Sequence, residues 1–150
     1  MKTVKNYMKT DLPILKENTP LSEIIEVFSN SYHNICPVVD NEGKLIGLVS
    51  LEEIIENLLL SREEVSFLEK LSFLADFFTE SIENISCVSP LVVAKDIMQK
   101  DVFFVKESES MIKAAILMKK KNVHCLIVID EKGKPVGYVS RNEICRAFLF

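Results

Sequence analysis

The chain has 150 residues, a formal net charge of −4, and 48% hydrophobic against 27% charged residues, the balance of a cored globular fold and not of a disordered chain. No apolar run of about 18 residues and no basic leader with an apolar stretch behind it is present, so neither a transmembrane helix nor a secretory signal is expected, and the protein reads as cytoplasmic. Acidic excess, with the only basic run confined to Lys119, Lys120 and Lys121, argues against nucleic acid as a partner.

In chain order, Thr3 to Met8 reads as a short lead-in, and Leu12 to Lys16 as an edge-like strand with Pro13 near its start, where a missing amide is tolerable. Thr19 followed by Pro20 predicts a helix start, and Leu21, Ile24, Ile25 and Phe28 give it one apolar face as far as about Ser31. Ile35 to Val39 and Leu45 to Val49 are continuous apolar runs around an Asp-Asn-Glu-Gly loop, which predicts a hairpin. Ser50 then opens a helix over Leu51 to Leu60.

Between Ser61 and Pro90, apolar residues recur every three to four positions behind a Ser61/Glu64 capping box, which predicts an amphipathic helix or two. Phe67, Phe73 and Phe77 widen the stripe, leaving open whether it packs on its own chain or forms a dimer or partner surface. The first pattern then returns: a strand Val102 to Lys106, a helix from Ser110 to Lys121, strands Cys125 to Asp130 and Pro135 to Ser140, and a final helix ending on Phe148, Leu149 and Phe150. An apolar end of that kind packs against something, and a homodimer is expected.

The return is a duplication. A shift of 90 residues superposes Met8, Asp11, Lys16, Asp40, Gly43, Gly47, Ser50 and Glu53 on identical residues without a gap, and all four glycines take part. Charge does not follow the repeat: residues 1–60 carry five Lys against nine acids, and residues 91–150 carry eleven basic residues against seven acids. The expected organisation is a first copy over 1–60, a helical linker over 61–90 and a second copy over 91–150, together one domain of mixed α/β (α+β) class.

Catalytic signatures are missing from the sequence: no nucleotide-binding glycine loop, no HExxH or CxxC metal set, and no Ser, His and Asp grouping beyond helix caps. No enzyme, no required cofactor and no metal site is expected. Cys36, Cys87, Cys125 and Cys145 lack ligand spacing, and Cys36 and Cys125 sit in apolar runs as small hydrophobes.

With the strand-helix-strand-strand-helix plan in duplicate, each copy having Met before its first strand, CPVVD (36–40) or LIVID (126–130) as its second, and GLVSLEEI (47–54) or GYVSRNEI (137–144) at its end, the chain resembles the tandem cystathionine beta-synthase (CBS) domain pair, or Bateman module. The resemblance covers residues 4–60 and 94–150. It implies two β-α-β-β-α repeats packed sheet to sheet with pseudo-twofold symmetry. It also implies a stand-alone regulatory module that binds AMP, ADP, ATP or S-adenosylmethionine as an energy or metabolite sensor, with Mg²⁺ as a possible companion of a polyphosphate. The alternative is a ligand-free dimerisation or interaction module, an effector protein being a further partner. Carried across, the ligand residues are Leu12, Pro13, Cys36, Ser50 and Glu53 for the first cleft, and Val102, Phe103, His124, Cys125, Ser140, Arg141 and Glu143 for the second.

Two departures bear on this. The family usually has Asp where this chain has Glu53 and Glu143, and commonly Thr where it has Lys9 and Gln99. Ser50 with Glu53 and Ser140 with Glu143 are also S-x-x-E capping boxes, so cap and ribose contact both stand as readings. His124 falls at the position that reaches phosphate in the family; His33 lies one residue early, with Asn34 in register. Arg141 and His124, against Leu51 and Asn34, make the second cleft the expected phosphate site.

Overall fold

The computed structural model describes residues 1–55 and 92–149. In the first copy, helix α1 (Val4–Tyr7) precedes strand β1 (Leu15–Lys16), helix α2 (Leu21–Ser29), strands β2 (Ile35–Val39) and β3 (Leu45–Ser50) and helix α3 (Leu51–Ile54). The second copy repeats the order with α4 (Ala94–Ile97), β4 (Phe104–Lys106), α5 (Met111–Lys121), β5 (Cys125–Ile129), β6 (Pro135–Ser140) and α6 (Arg141–Leu149). The linker helix expected over 61–90, the stretch to Leu60, Cys87 and Phe150 lie outside the described residues.

Each copy forms a three-stranded sheet, β1-β2-β3 or β4-β5-β6, the first pair parallel and the second antiparallel. The central strands are buried along nearly their whole length, which is why they read as unbroken apolar runs. Their hairpins close identically. Asp40 Oδ1 accepts from the amides of Glu42 and Lys44 at 2.8 and 3.0 Å, Asp130 Oδ1 from Lys132 and Lys134 at the same distances, and Gly43 and Gly133 take φ of 83° and 82°.

Helices cover the outer face of each sheet, and the lead-ins are exchanged between copies. Val4 is fully buried among Val105, Met111 and Val139 of the second copy, whereas Ala94 is buried among Leu15, Leu21 and Val49 of the first. Backbone bonds fix the exchange in equivalent pairs: Val4 N to Glu109 O and Ala94 N to Thr19 O at 2.8 and 2.9 Å, Met111 N to Lys2 O and Leu21 N to Val92 O at 2.9 and 2.8 Å. Beyond the helices, Lys9 pairs with Tyr138 through two bonds of 3.0 and 2.9 Å, and Gln99 with Leu48 through bonds of 2.8 and 2.9 Å. The edge strands β3 and β6 each thereby gain a second neighbour, from the other copy.

Several boundaries shift from expectation for this reason. Pairing in the first strands is limited to Leu15–Lys16 and Phe104–Lys106, because the residues before them are leaving the bridge to the other copy. Thr19 does not cap α2: its Oγ1 accepts from Lys16 N at 3.1 Å, and Pro20 takes the cap position while Val92 O receives the Leu21 amide. Ser110 does cap α5, accepting from Lys113 N at 3.2 Å. α2 stops at Ser29, two residues before the expected Ser31.

Between the sheets, Leu12, Ile127 and Ile129 form a buried seam with Ile35, Leu45, Leu48, Val102 and Tyr138 packed against it. This seam joins the copies. Where the exchanged lead-ins cross, there is room for glycine alone. A Cβ on Gly137 would fall on the Lys9 carbonyl oxygen, which the bridge holds in place, while one on Gly47 meets chiefly the flexible Met98 thioether. Gly137→Ala is therefore expected to destabilise the fold by about 1–3 kcal/mol, and by more than Gly47→Ala. Urea denaturation of the two variants checks this; equal costs would show that the Lys9 bridge yields as readily as a side chain.

Candidate functional site

The lead-in exchange decides which residues meet at the clefts flanking the seam. Lys9 crosses to β6, so the residues after it are carried to the second copy's sheet: His33 Nε2 lies 3.5 Å from Asp11 Oδ2, and its ring meets that of Tyr138 edge-on at 4.8 Å. Burial, followed by the carboxylates of Asp11 and Glu143, raises the Tyr138 hydroxyl from 10.0 to about 12. This cleft thus takes Asp11 and His33 from the first copy, and Tyr138 with the adjoining Ser140 and Glu143 from the second.

Glu143 is 4% exposed and turned back on its own helix start. Its Oε1 accepts from the Ser140 amide at 2.9 Å and from the Ser140 hydroxyl at 2.7 Å, while Ser140 Oγ receives the Asn142 amide at 3.3 Å. This is the back-reaching half of a capping box. In the first copy, Ser50 Oγ accepts from Glu53 N at 3.2 Å, the forward half, and Glu53 Oε1 accepts from the side-chain amide of Gln99, which arrives on the exchanged lead-in. Identical S-x-x-E motifs are therefore satisfied differently, and Lys9 stands where Gln99 does in the other cleft.

The sequence-predicted residues are distributed unevenly. Leu12 is buried in the seam and Val102 packs against it, so both are walls. Pro13 borders an open concavity between the lead-in loop and α2, with a volume of about 490 Å³ and a rim that includes Asp11, Glu23 and Glu26. At the position equivalent to Pro13, Phe103 is 37% exposed with Lys121 Nζ 5.4 Å over its ring, and His124 is exposed. An aromatic face beside a cation is what a phosphorylated base requires. Arg141 lines a separate groove between α5 and α6.

Cys36 and Cys125 turn out to be inequivalent. Cys36 corresponds to Leu126, one residue away from Cys125, and the pleat turns neighbouring side chains to opposite faces. The Cys36 side chain is fully buried under the helices of its copy, and burial pushes its thiol up to about 12. It offers a cleft only its backbone. Cys125, on the opposite face and paired with Ser140, is raised to about 12 by burial and then by Glu143.

Tyr138, Asp11, Gln99 and Lys121 are not among the ligand residues expected from sequence, although Asp11 recurs at 101, Gln99 departs from the family and Tyr138 stands within the GYVS motif. Their roles depend on the exchange, which spacing along one copy does not reveal. Among the described residues, no group of three or more His, Cys, Asp or Glu side chains is placed to hold a metal ion.

Comparisons with known proteins agree on the kind of molecule. The CBS domain pattern matches residues 4–60 and 94–149. The uncharacterized protein MJ1426 of Methanocaldococcus jannaschii is 24% identical, over 97% of this chain and 90% of its own. CBSX2 of Arabidopsis thaliana, solved in complex with AMP, is 25% identical with a TM-score of 0.69, over 99% of this chain and 97% of that one. The CBS domain pair of MJ0100, solved with 5′-methylthioadenosine and S-adenosyl-L-methionine, is 22% identical with a TM-score of 0.67, over 99% and 96%. Other relatives are longer: the chain spans 24% of a homoserine O-acetyltransferase of Methanococcus vannielii.

The Tyr138 environment yields a test of the cleft as drawn. A folded-state value raised from 10.0 to about 12 means that the native protein keeps the phenolic proton longer than the unfolded chain. That stabilisation is complete below pH 10 and is lost as pH rises to about 12. Wild-type protein is expected to lose urea stability across this window more steeply than Tyr138→Phe. Parallel pH profiles would place Tyr138 in ordinary solvent.

Proposed function

The chain belongs to the CBS domain family, and from that premise we propose that it is a regulatory binding module for an adenosine-containing ligand, AMP, ADP, ATP or S-adenosylmethionine, and not a catalyst. The observation that carries this reading is the likeness across 99% of the chain to CBSX2, a CBS pair that holds AMP. The two clefts differ in chemistry. Phe103 just before the second copy's first strand, Lys121 at the end of α5 and His124 at the entry of β5 favour a phosphorylated nucleoside; the cleft with Asp11, His33 and Tyr138 favours an adenosyl compound of lower negative charge. Arg141, at the start of α6, would act on a phosphate only by reaching out of its groove.

Glu143 fits the cap reading as well as the ribose reading, since its carboxylate already holds Ser140 at the helix start, and the Glu53 carboxylate is already engaged by Gln99. A ligand-free dimerisation module is the alternative that their engagement favours. The protein is taken to be a homodimer, with α5 and α6 exposing Ile112, Ile116, Phe148 and Leu149. The cytoplasm is its proposed compartment, in keeping with the free thiols of Cys36, Cys125 and Cys145.

Calorimetric titration of AMP, ADP, ATP with and without Mg²⁺, and S-adenosylmethionine separates the readings. Binding of at least one is expected. Phe103→Ala should weaken a nucleotide by about tenfold through lost stacking, and His124→Ala should weaken ATP or AMP more than S-adenosylmethionine. Glu143→Gln leaves the cap its shape; unchanged affinity would assign Glu143 to the cap alone. Silence with every ligand would leave the interaction module as the function.

A further inference from the structure

The side-chain amide of Gln99 already engages the carboxylate that the first copy would offer to a ribose, and from this we infer that Gln99 is a built-in competitor: a nucleoside that uses Glu53 must first displace it. The inference rests on the adenosine-binding reading above and adds to it a residue that sets how tightly one of the two sites binds. Glu53 Oε1 accepts from the Gln99 side-chain amide, while the Glu53 backbone amide donates to Ser50 Oγ at 3.2 Å. The forward half of the cap thus uses the Glu53 backbone, and its carboxylate reaches the other copy's lead-in.

Gln99 is placed for this by its backbone. Its N–H donates to Leu48 O at 2.8 Å and its carbonyl accepts from Leu48 N at 2.9 Å, two residues before Ser50, so the side chain starts from a fixed point beside the start of α3. The bridge thereby covers much of the entropic cost of bringing amide and carboxylate together. A carboxylate accepts from an amide N–H as it accepts from ribose hydroxyls, and its charge strengthens both kinds of bond. A ribose diol needs both carboxylate oxygens, and the lead-in amide stands against one of them. The apparent affinity is then the intrinsic affinity scaled by the fraction of molecules in which Gln99 has let go.

The other helix start is arranged differently. Lys9 stands at the position of Gln99, bridged to Tyr138 by equivalent backbone bonds of 3.0 and 2.9 Å, and the Glu143 carboxylate is buried and held by Ser140 of its own helix start. The competition is therefore particular to the site built around Glu53. It also ties occupancy to the join between the copies, because Gln99 belongs to one copy and Glu53 to the other.

Calorimetric titration of AMP and of S-adenosylmethionine into the full chain tests this by the sign of the effect. For a competitor, Gln99→Ala should tighten one site by about three- to tenfold, the range of a partly exposed charge-assisted hydrogen bond. A residue that steadied Glu53 for the ligand would give the opposite sign, so weakened or equal affinity overturns the inference and leaves the binding reading intact. In a Glu53→Ala background the same substitution should change nothing; tightening that persisted there would mean obstruction by bulk alone, which also overturns it. Urea denaturation without ligand checks the contact itself. Gln99→Ala is expected to lower the midpoint in the wild type and not in Glu53→Ala, and equal losses in both would show that the two side chains do not hold one another. Absence of binding by wild type and Gln99→Ala alike would overturn the binding reading and the competition with it.

Discussion

Two short bridges, Lys9 with Tyr138 and Gln99 with Leu48, determine how the rest of the molecule is put together. Each attaches the lead-in of one copy to the last strand of the other, so neither copy's core is complete without residues from its twin. Val4 and Ala94, both fully buried, are core residues of the copy to which they are foreign in sequence. Burying a side chain such as Val contributes about 1.5–3 kcal/mol, and the exchange makes that contribution conditional on both copies being folded and correctly placed. Cooperativity is built into the connection. Gly137 and Gly47 follow from it, since a Cβ would meet the crossing Lys9 backbone at the first and chiefly the Met98 side chain at the second.

Most of the architecture was legible because duplicated signals reinforce one another. The apolar runs 35–39 and 125–129, the Asp-x-x-Gly hairpins and the S-x-x-E helix starts each occur twice in register, and the structure has each in its expected place. What the sequence did not disclose was the exchange, because spacing within a copy is the same whether its lead-in packs at home or away. The first strands were consequently read too long, and Thr19 was given a cap that the neighbouring chain segment made unnecessary. Cys36 and Cys125 looked alike in composition but are one residue out of register, and in a strand one residue is a change of face.

The same exchange explains why the clefts were only partly legible. Each is lined by a loop from one copy and a helix start from the other, so residues grouped along the sequence are separated in space. Asp11 and His33 meet Tyr138, while Glu53 meets Gln99. Family positions locate the helix starts and strand entries, but not which start faces which entry. The local chemistry then differs where single positions differ: Gln99 donates its amide to Glu53, whereas Lys9 stands at that position in the other cleft and Glu143 folds back on Ser140.

A backbone with near twofold symmetry and side chains without it has a definite physical consequence. Symmetric backbone bonds hold the copies at one mutual position, and any compound touching both walls of a cleft binds best at the separation those bonds allow. Occupancy and the placement of the copies are therefore thermodynamically linked, and a shift in one is a bias on the other. On the proposed function, unequal clefts would let two occupancies bias that one coordinate differently. The seam of Leu12, Ile127 and Ile129, with Ile35, Leu45 and Leu48 packed against it, draws on both copies, so on the proposed function a displacement at one cleft would bear on the other through it. Close packing makes such a seam respond as a body and not by local yielding. Duplication supplied the shared coordinate; divergence at positions such as Pro13 and Phe103, or His33 and Val123, gave its two ends different chemistry.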